Sequence, residues 1–227
     1  MWMEKNRSKI RFVFWLVLIV GSALLGVGLA AFSLDRFTKN MTVAVWLAIL
    51  SLTSIGIDLL WYRELNRKLM SLQSVLLEEH DADRYISEIN ALLEGKKSPH
   101  IRSIFLLNLS AAYCEKAEYH TAQDFLLQIN PRKLTGINRS VYWANLAYVY
   151  FYLKEEEKAQ LILEQQRAAF AKLSDHPQLG ALLVVLGIFE RLAQGDRPGA
   201  RERLERERPR WETEHTASDF AYLDQLC

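Results

Sequence analysis

Leu106-Leu-Asn-Leu-Ser-Ala-Ala-Tyr113 and Trp143-Ala-Asn-Leu-Ala-Tyr-Val-Tyr150 are two versions of one segment, offset by 37 residues. Leu109 aligns with Leu146, Ser110 with Ala147 and Tyr113 with Tyr150. The register continues to Ala122 with Ala159 and Leu126 with Leu163. Self-similarity at a period of about 20–50 residues predicts stacked copies of one supersecondary unit. The residue types supply the packing reason. A small residue on a first helix and Ala on a second let two antiparallel helices approach closely. Leu and Tyr then fill the gap between that hairpin and the next.

This pattern resembles the tetratricopeptide repeat (TPR), in which a bulky residue is followed by Leu and a small residue, then Tyr, then Ala, then another bulky residue. Tyr113-Cys-Glu-Lys-Ala-Glu-Tyr-His-Thr-Ala122 is similar to that family's turn and second helix. Gly195-Asp-Arg-Pro-Gly-Ala200, with Leu204, looks like a third copy, although Arg191 stands where Tyr belongs and Gly187 where Leu belongs. Residues 79–86 look like a divergent leading unit. The resemblance covers about residues 98–208 and implies an α-solenoid of about three helical hairpins. Its repeat-packing residues are Leu109, Tyr113, Ala122, Leu126, Leu146, Ala147, Tyr150, Ala159, Leu163 and Ala200.

The resemblance also implies a concave groove lined by the first helices. In that family an Asn at the sixth repeat position hydrogen-bonds the backbone of a bound peptide. Asn108 and Asn145 occupy it here, and Tyr148 shares the face of Asn145. An amide both donates and accepts, which suits an extended peptide. The competing reading is that both amides satisfy local backbone groups or water. The family's clamp for a peptide carboxylate needs Lys and Arg on the third unit's first helix, where this chain has Leu182 and Leu186. An apolar or mixed peptide is therefore the expected ligand.

Outward from the repeats, the rest of residues 81–227 also reads as helices. Asp81, Ser98-Pro99, Asn138, Asp175-His-Pro177 and Asp196-Arg-Pro198 are helix-start signals, a capping side chain often followed by Pro. Gly95, Gly136 and Gly195 mark breaks. Neither extended strand alternation nor an Asn-Gly or Asp-Gly hairpin turn is present, so the fold class is all-α. A last helix with Thr216 or Ser218 as cap and Phe220, Tyr222, Leu223 and Leu226 as its apolar face is expected to close the array. The aromatics at 142, 143, 148 and 150–152 surround one helix and are expected mostly in the core.

Before residue 81 the chain changes character. Phe12–Leu34 has no charged residue, and Met41–Tyr62 has only Asp58. About 20 apolar residues cross the roughly 30 Å bilayer core as a helix. Residues 1–62 are thus expected to form a membrane hairpin with spans at about 12–34 and 41–62, rather than a cleaved signal peptide, whose apolar region is shorter. Ser22, Gly26 and Ala30 make one face of the first span small, which suits packing against the second. Leu65, Leu69, Leu72 and Leu76 form a helical stripe, so 63–80 reads as a helical extension of the second span. Domain 81–227 follows.

Lys5, Arg7, Lys9 and Arg11 precede the first span, and Arg63, Arg67 and Lys68 follow the second. The intervening linker carries only Arg36 and Lys39. Positive residues are retained on the cytoplasmic side, so both termini and the repeat domain are expected there. With two widely separated cysteines, a bacterial cytoplasmic membrane is the expected location.

Composition and motifs narrow the function. Of 28 Lys/Arg and 27 Asp/Glu, residues 63–227 hold 22 and 24. Such a balance argues against nucleic acid as partner, since binding it takes a clustered basic face. The Arg/Glu alternation of 201–210 reads as a solvated helix face with i,i+4 pairs. His80-Asp-Ala-Asp83 fits no metal spacing, and no phosphate loop or nucleophile motif appears. The expectation is a non-enzymatic protein without metal or cofactor. It would be a membrane-tethered adaptor or scaffold whose partners are the lipid bilayer and a protein or peptide segment. The alternative is a structural or assembly subunit of a membrane complex, with the spans and the Leu65–Leu76 stripe as its interface.

Overall fold

A computed structural model describes residues 6–32, 35–94, 98–177 and 179–227. The described residues form ten α-helices and one short 3-10 turn, and no strand. In chain order these are α1 (Arg7–Ala31), α2 (Arg36–Leu77), α3 (Ala82–Leu93), α4 (Pro99–Glu115), α5 (Tyr119–Leu127), α6 (Ile137–Tyr152), α7 (Glu156–Ala171), α8 (Gly180–Ala193), α9 (Arg197–Trp211) and α10 (Ala217–Leu226), with the 3-10 turn Pro131–Lys133 before α6. The chain divides into two units, Met1–Leu72 and Gln73–Cys227.

Two helices are long and apolar enough to cross a membrane, Ser8–Ala31 within the first unit and Arg36–Leu76, which begins in it. Their apolar side chains face outward, Phe12, Leu24, Val27, Leu52 and Leu59 among them. Where α1 meets α2, the Trp46 ring lies on Gly21, and its indole N–H donates to Ser22 Oγ at 3.1 Å. A Cβ at 21 would strike that ring, so the absent side chain is what lets the indole lie flat. Gly26 of the expected small face meets nothing. Residues 33 and 34, which close the predicted first span, lie outside the described residues. The helical extension ends at Leu77, and of its stripe Leu65, Leu72 and Leu76 are buried and Leu69 half-buried.

In the second unit, consecutive helices pair as α4–α5, α6–α7 and α8–α9, and the first helices touch in series, α4 with α6, α6 with α8, α8 with α10. The three pairs share one turn. Ala117, Lys154 and Gly195 all adopt the left-handed conformation, at φ 56°, 62° and 78°. In each, the residue after it donates its N–H five residues back: Glu118 to Tyr113, Glu155 to Tyr150 and Asp196 to Arg191, all at 2.9 Å. This is the Schellman geometry that satisfies carbonyls left open at a helix end. The second helix of each pair then brings in Ala122, Ala159 or Ala200, each with no exposed surface. Leu126, Leu163 and Leu204 follow one turn later, and all are buried. On the first helices Leu109, Leu146 and Ala147 are buried, as is Tyr150, while Tyr113 is half-buried and stacks on Phe125 at 5.3 Å.

The third pair reaches this packing with other side chains. The Arg203 guanidinium occupies the space that a Cβ at Gly187 would fill. Of the i,i+4 pairs expected along 201–210, Arg201–Glu205 and Arg206–Glu202 approach within 3.9 and 3.8 Å, while Arg203 and Glu207 form no ion pair with each other. Arg191, in the place of Tyr, binds Asp196 Oδ2 at 2.7 Å, and Asp196 caps α9 by accepting from Gly199 N–H.

Three helix starts fall as the caps predicted: Asp81, Ser98 and Asp196 each accept a backbone N–H of the following turn. Two do not. Asn138 is already inside α6, because Gly136 at φ 56° turns the chain first. Pro177 lies ahead of α8, which begins only at Gly180, where a Cβ would meet the Ser174 carbonyl oxygen. Thr216 stands at the start of α10, but its hydroxyl donates to the Trp211 carbonyl and accepts from Thr213 N–H instead of capping. Gly95 lies outside the described residues.

Candidate functional site

The first helices converge on one cleft of about 340 Å³. Ala111, Cys114 and Glu115 come from α4, Asn145 and Tyr148 from α6, and Ala181 and Leu182 from α8. The α9–α10 connection and α10 supply His215, Thr216, Ser218 and Asp219, and Tyr119 at the start of α5 adds a ring.

Asp219 is its electrostatic centre. Tyr148 and Tyr152, one turn apart on α6, both donate their hydroxyls to the same oxygen, Asp219 Oδ1, the first at 2.7 Å. The other oxygen, Oδ2, receives no hydrogen bond among the described residues. Desolvation pushes the Asp219 carboxyl above the usual carboxylate range, and the two hydroxyls only partly offset it. The same enclosure, with the Asp219 charge, holds Tyr148 and Tyr152 far above the ordinary phenol range. Tyr119 stacks on Tyr152 at 4.4 Å, and its pKa is pushed up to about 12, again chiefly by desolvation. Beyond this cluster Tyr222 of α10 stacks on Tyr152 at 5.3 Å and accepts from Lys154 Nζ at 2.7 Å.

Glu115 faces the same cleft from α4. One side of it is open to solvent. The walls nevertheless desolvate its carboxyl and, with Asp219, raise its pKa, while His215 and His80 draw it back down. No hydrogen bond or ion pair reaches it among the described residues. His80, left-handed at φ 52°, meets the His215 ring at 5.2 Å in a tilted arrangement and approaches Glu214 at 3.2 Å. The α2–α3 corner therefore meets the α9–α10 connection at the rim. Cys114 is largely enclosed, and burial drives its thiol well above its ordinary value.

The residues expected to form a groove separate here. Asn145 and Tyr148 line the cleft, and the Asn145 amide makes no hydrogen bond among the described residues. Asn108 does not line it. Its Oδ1 accepts from the Tyr85 hydroxyl at 2.8 Å and its Nδ2 donates to the Ile104 carbonyl at 2.8 Å, so local groups hold it. Leu182 lines the cleft, and Leu186 is buried. Of the aromatic cluster, Tyr142, Tyr150 and Phe151 are buried, and Trp143, Tyr148 and Tyr152 half-buried. Asp219, Glu115, His80 and His215 were not singled out as a site from the sequence. The available signal was an acid next to Phe220 on an otherwise apolar face, and tyrosines four residues apart on α6.

Fold and cleft together define an all-helical protein with two helices of membrane-crossing length and a polar, tyrosine-walled concavity. No protein-family model matches the chain, and no curated protein or solved structure does so at a significant level.

Proposed function

We propose that the chain is a membrane-tethered, TPR-like adaptor that holds a peptide or protein segment in this cleft. The observation that carries the reading is the convergence of α4, α6 and α8, with α10, on one concavity lined by Asn145, whose amide makes no protein hydrogen bond among the described residues. The thrice-repeated turn and its buried alanines support the likeness to the repeat family beyond the two copies legible in sequence. The two apolar helices support tethering, and the distribution of Lys and Arg supports a cytoplasmic repeat domain at a bacterial cytoplasmic membrane.

The test places a photo-crosslinking residue at Asn145 in the full chain in cells, and at Leu127 and Leu161, exposed positions on α5 and α7. Crosslinks confined to position 145 are expected. Equal capture at all three, or none at 145, rejects the cleft as the binding surface.

A further inference from the structure

We infer that the cleft takes a cationic side chain, Lys or Arg, of the bound segment, seated between the Glu115 and Asp219 carboxylates beside the Tyr119 ring. This rests on the cleft reading above and names the chemistry of its occupant.

The lining is charge-asymmetric. It contains two carboxylates and no Lys or Arg. Two lysines close in sequence to its lining residues are engaged elsewhere: Lys116 Nζ with Asp83 at 2.7 Å and Glu118 at 3.1 Å, and Lys154 with the Tyr222 hydroxyl. Only His215 and, at the rim, His80 bring titratable positive charge, and Glu214 faces His80. The groups left without a protein partner among the described residues point to one kind of guest. Glu115 and Asp219 Oδ2 are acceptors, and the Asn145 amide has an acceptor oxygen beside its donor. An ammonium or guanidinium group brings several donors and no acceptor. Charge-assisted bonds of this type are the stronger ones. The wall completes the match. Tyr119 stacks on Tyr152 and meets Tyr148 edge-on at 6.3 Å, presenting tyrosine faces that attract a cation. The volume of about 340 Å³ suits one long side chain better than a folded element. The attraction of a guest cation would offset the desolvation that raises both carboxyl pKa values and the Asp219 charge that adds to it at Glu115.

The test uses the full chain in detergent and four pools of fluorescent heptapeptides, randomised except for a central Lys, Arg, norleucine or Glu. Norleucine keeps the aliphatic stem of Lys and removes its charge. The Lys and Arg pools are expected to bind at least about tenfold more tightly than norleucine, with Glu weakest, a step worth about 1.4 kcal/mol. Glu115→Gln, whose carboxyl makes no hydrogen bond or ion pair among the described residues, should remove most of the preference of the Lys and Arg pools over norleucine. Asp219→Asn should act in the same direction. Equal binding of the norleucine and Lys pools overturns the inference and leaves the cleft reading standing. Binding of no pool, with crosslinks still formed at position 145, does the same. Binding of no pool and no crosslink removes both.

Discussion

The pair α8–α9 and the pairs before it share a backbone but differ in side chains. In α4–α5 and α6–α7 the interior is made by Leu on the first helix, Tyr before the turn and Ala on the second. In α8–α9 the Ala remains, Gly187 replaces Leu and Arg191 replaces Tyr, yet the turn hydrogen bond is the same 2.9 Å. The difference shows which positions the hairpin requires. The Ala on the second helix is kept in all three pairs, whereas the gap beside it is filled by Leu in two of them and by the stem and guanidinium of Arg203 in the third. The turn requires a backbone conformation and not a residue type, because Ala117 and Lys154 adopt it as Gly195 does.

The comparison breaks first at the shared core. Leu126→Ala and Leu204→Ala each empty a fully buried site, and each should cost about 2–5 kcal/mol. Urea melts of the full chain in detergent measure this. A much smaller loss for Leu204→Ala would mean that the third pair is not a structural equal of the first. Next is the exchanged pair. Gly187→Leu alone should cost about 1–3 kcal/mol by overfilling the space held by Arg203. Combined with Arg203→Ala it should recover a large part of that, and a double-mutant cycle reads the coupling directly. Strictly additive losses would separate the two residues.

These features were unequally legible. Helix class, the two apolar helices and the alanine register follow from composition and spacing, which act within a few residues of one another. The third pair was half-legible, because Ala200 and Leu204 kept the pattern while Gly187 and Arg191 broke it. Their compensations, Arg203 and Asp196, lie on the neighbouring helix and its cap. The cleft was least legible. Asp219 meets Tyr148 across 71 residues of chain, through the return of α10 to the first helices, and no local period encodes that return. Asn108 and Asn145 hold the same repeat position, yet Tyr85 of the preceding helix reaches only Asn108. Equivalent letters acquire different surroundings at the two ends of a stack.

A smaller effect tests the turn. Ala117→Gly removes the Cβ from a left-handed residue and should stabilise, or at worst be neutral, within about 1 kcal/mol; at Lys154, whose Nζ also bonds Tyr222, the same step is read as Lys154→Gly against Lys154→Ala. Gly195→Ala should destabilise by roughly 1–2 kcal/mol, the cost of the left-handed region for an ordinary residue. Opposite signs in the early and late pairs, read from melting midpoints, are the expected outcome. Equal signs would mean that the three turns do not share one conformation in solution.

The smallest expected effect is a pH dependence, and it sharpens the contrast between the α4 and α10 sides of the cleft. Asp219 and Glu115 both have carboxyl pKa values raised in the folded chain, chiefly by desolvation. A folded state with a raised pKa binds its proton more tightly than the unfolded chain. The resulting stabilisation is complete below the ordinary carboxylate value and is lost as pH rises through the raised one. Relative to Asp219→Asn, the parent chain should therefore gain stability as pH falls from neutral through that window. Glu115 should show the same sign against Glu115→Gln. It should show a weaker slope, since its carboxyl keeps a solvent-facing side and His215 and His80 oppose the shift. Melting midpoints of the three chains across this window decide it. A flat difference for Asp219→Asn would mean that solvent enters the tyrosine cluster freely. The enclosure that sets the chemistry of the cleft would then be absent.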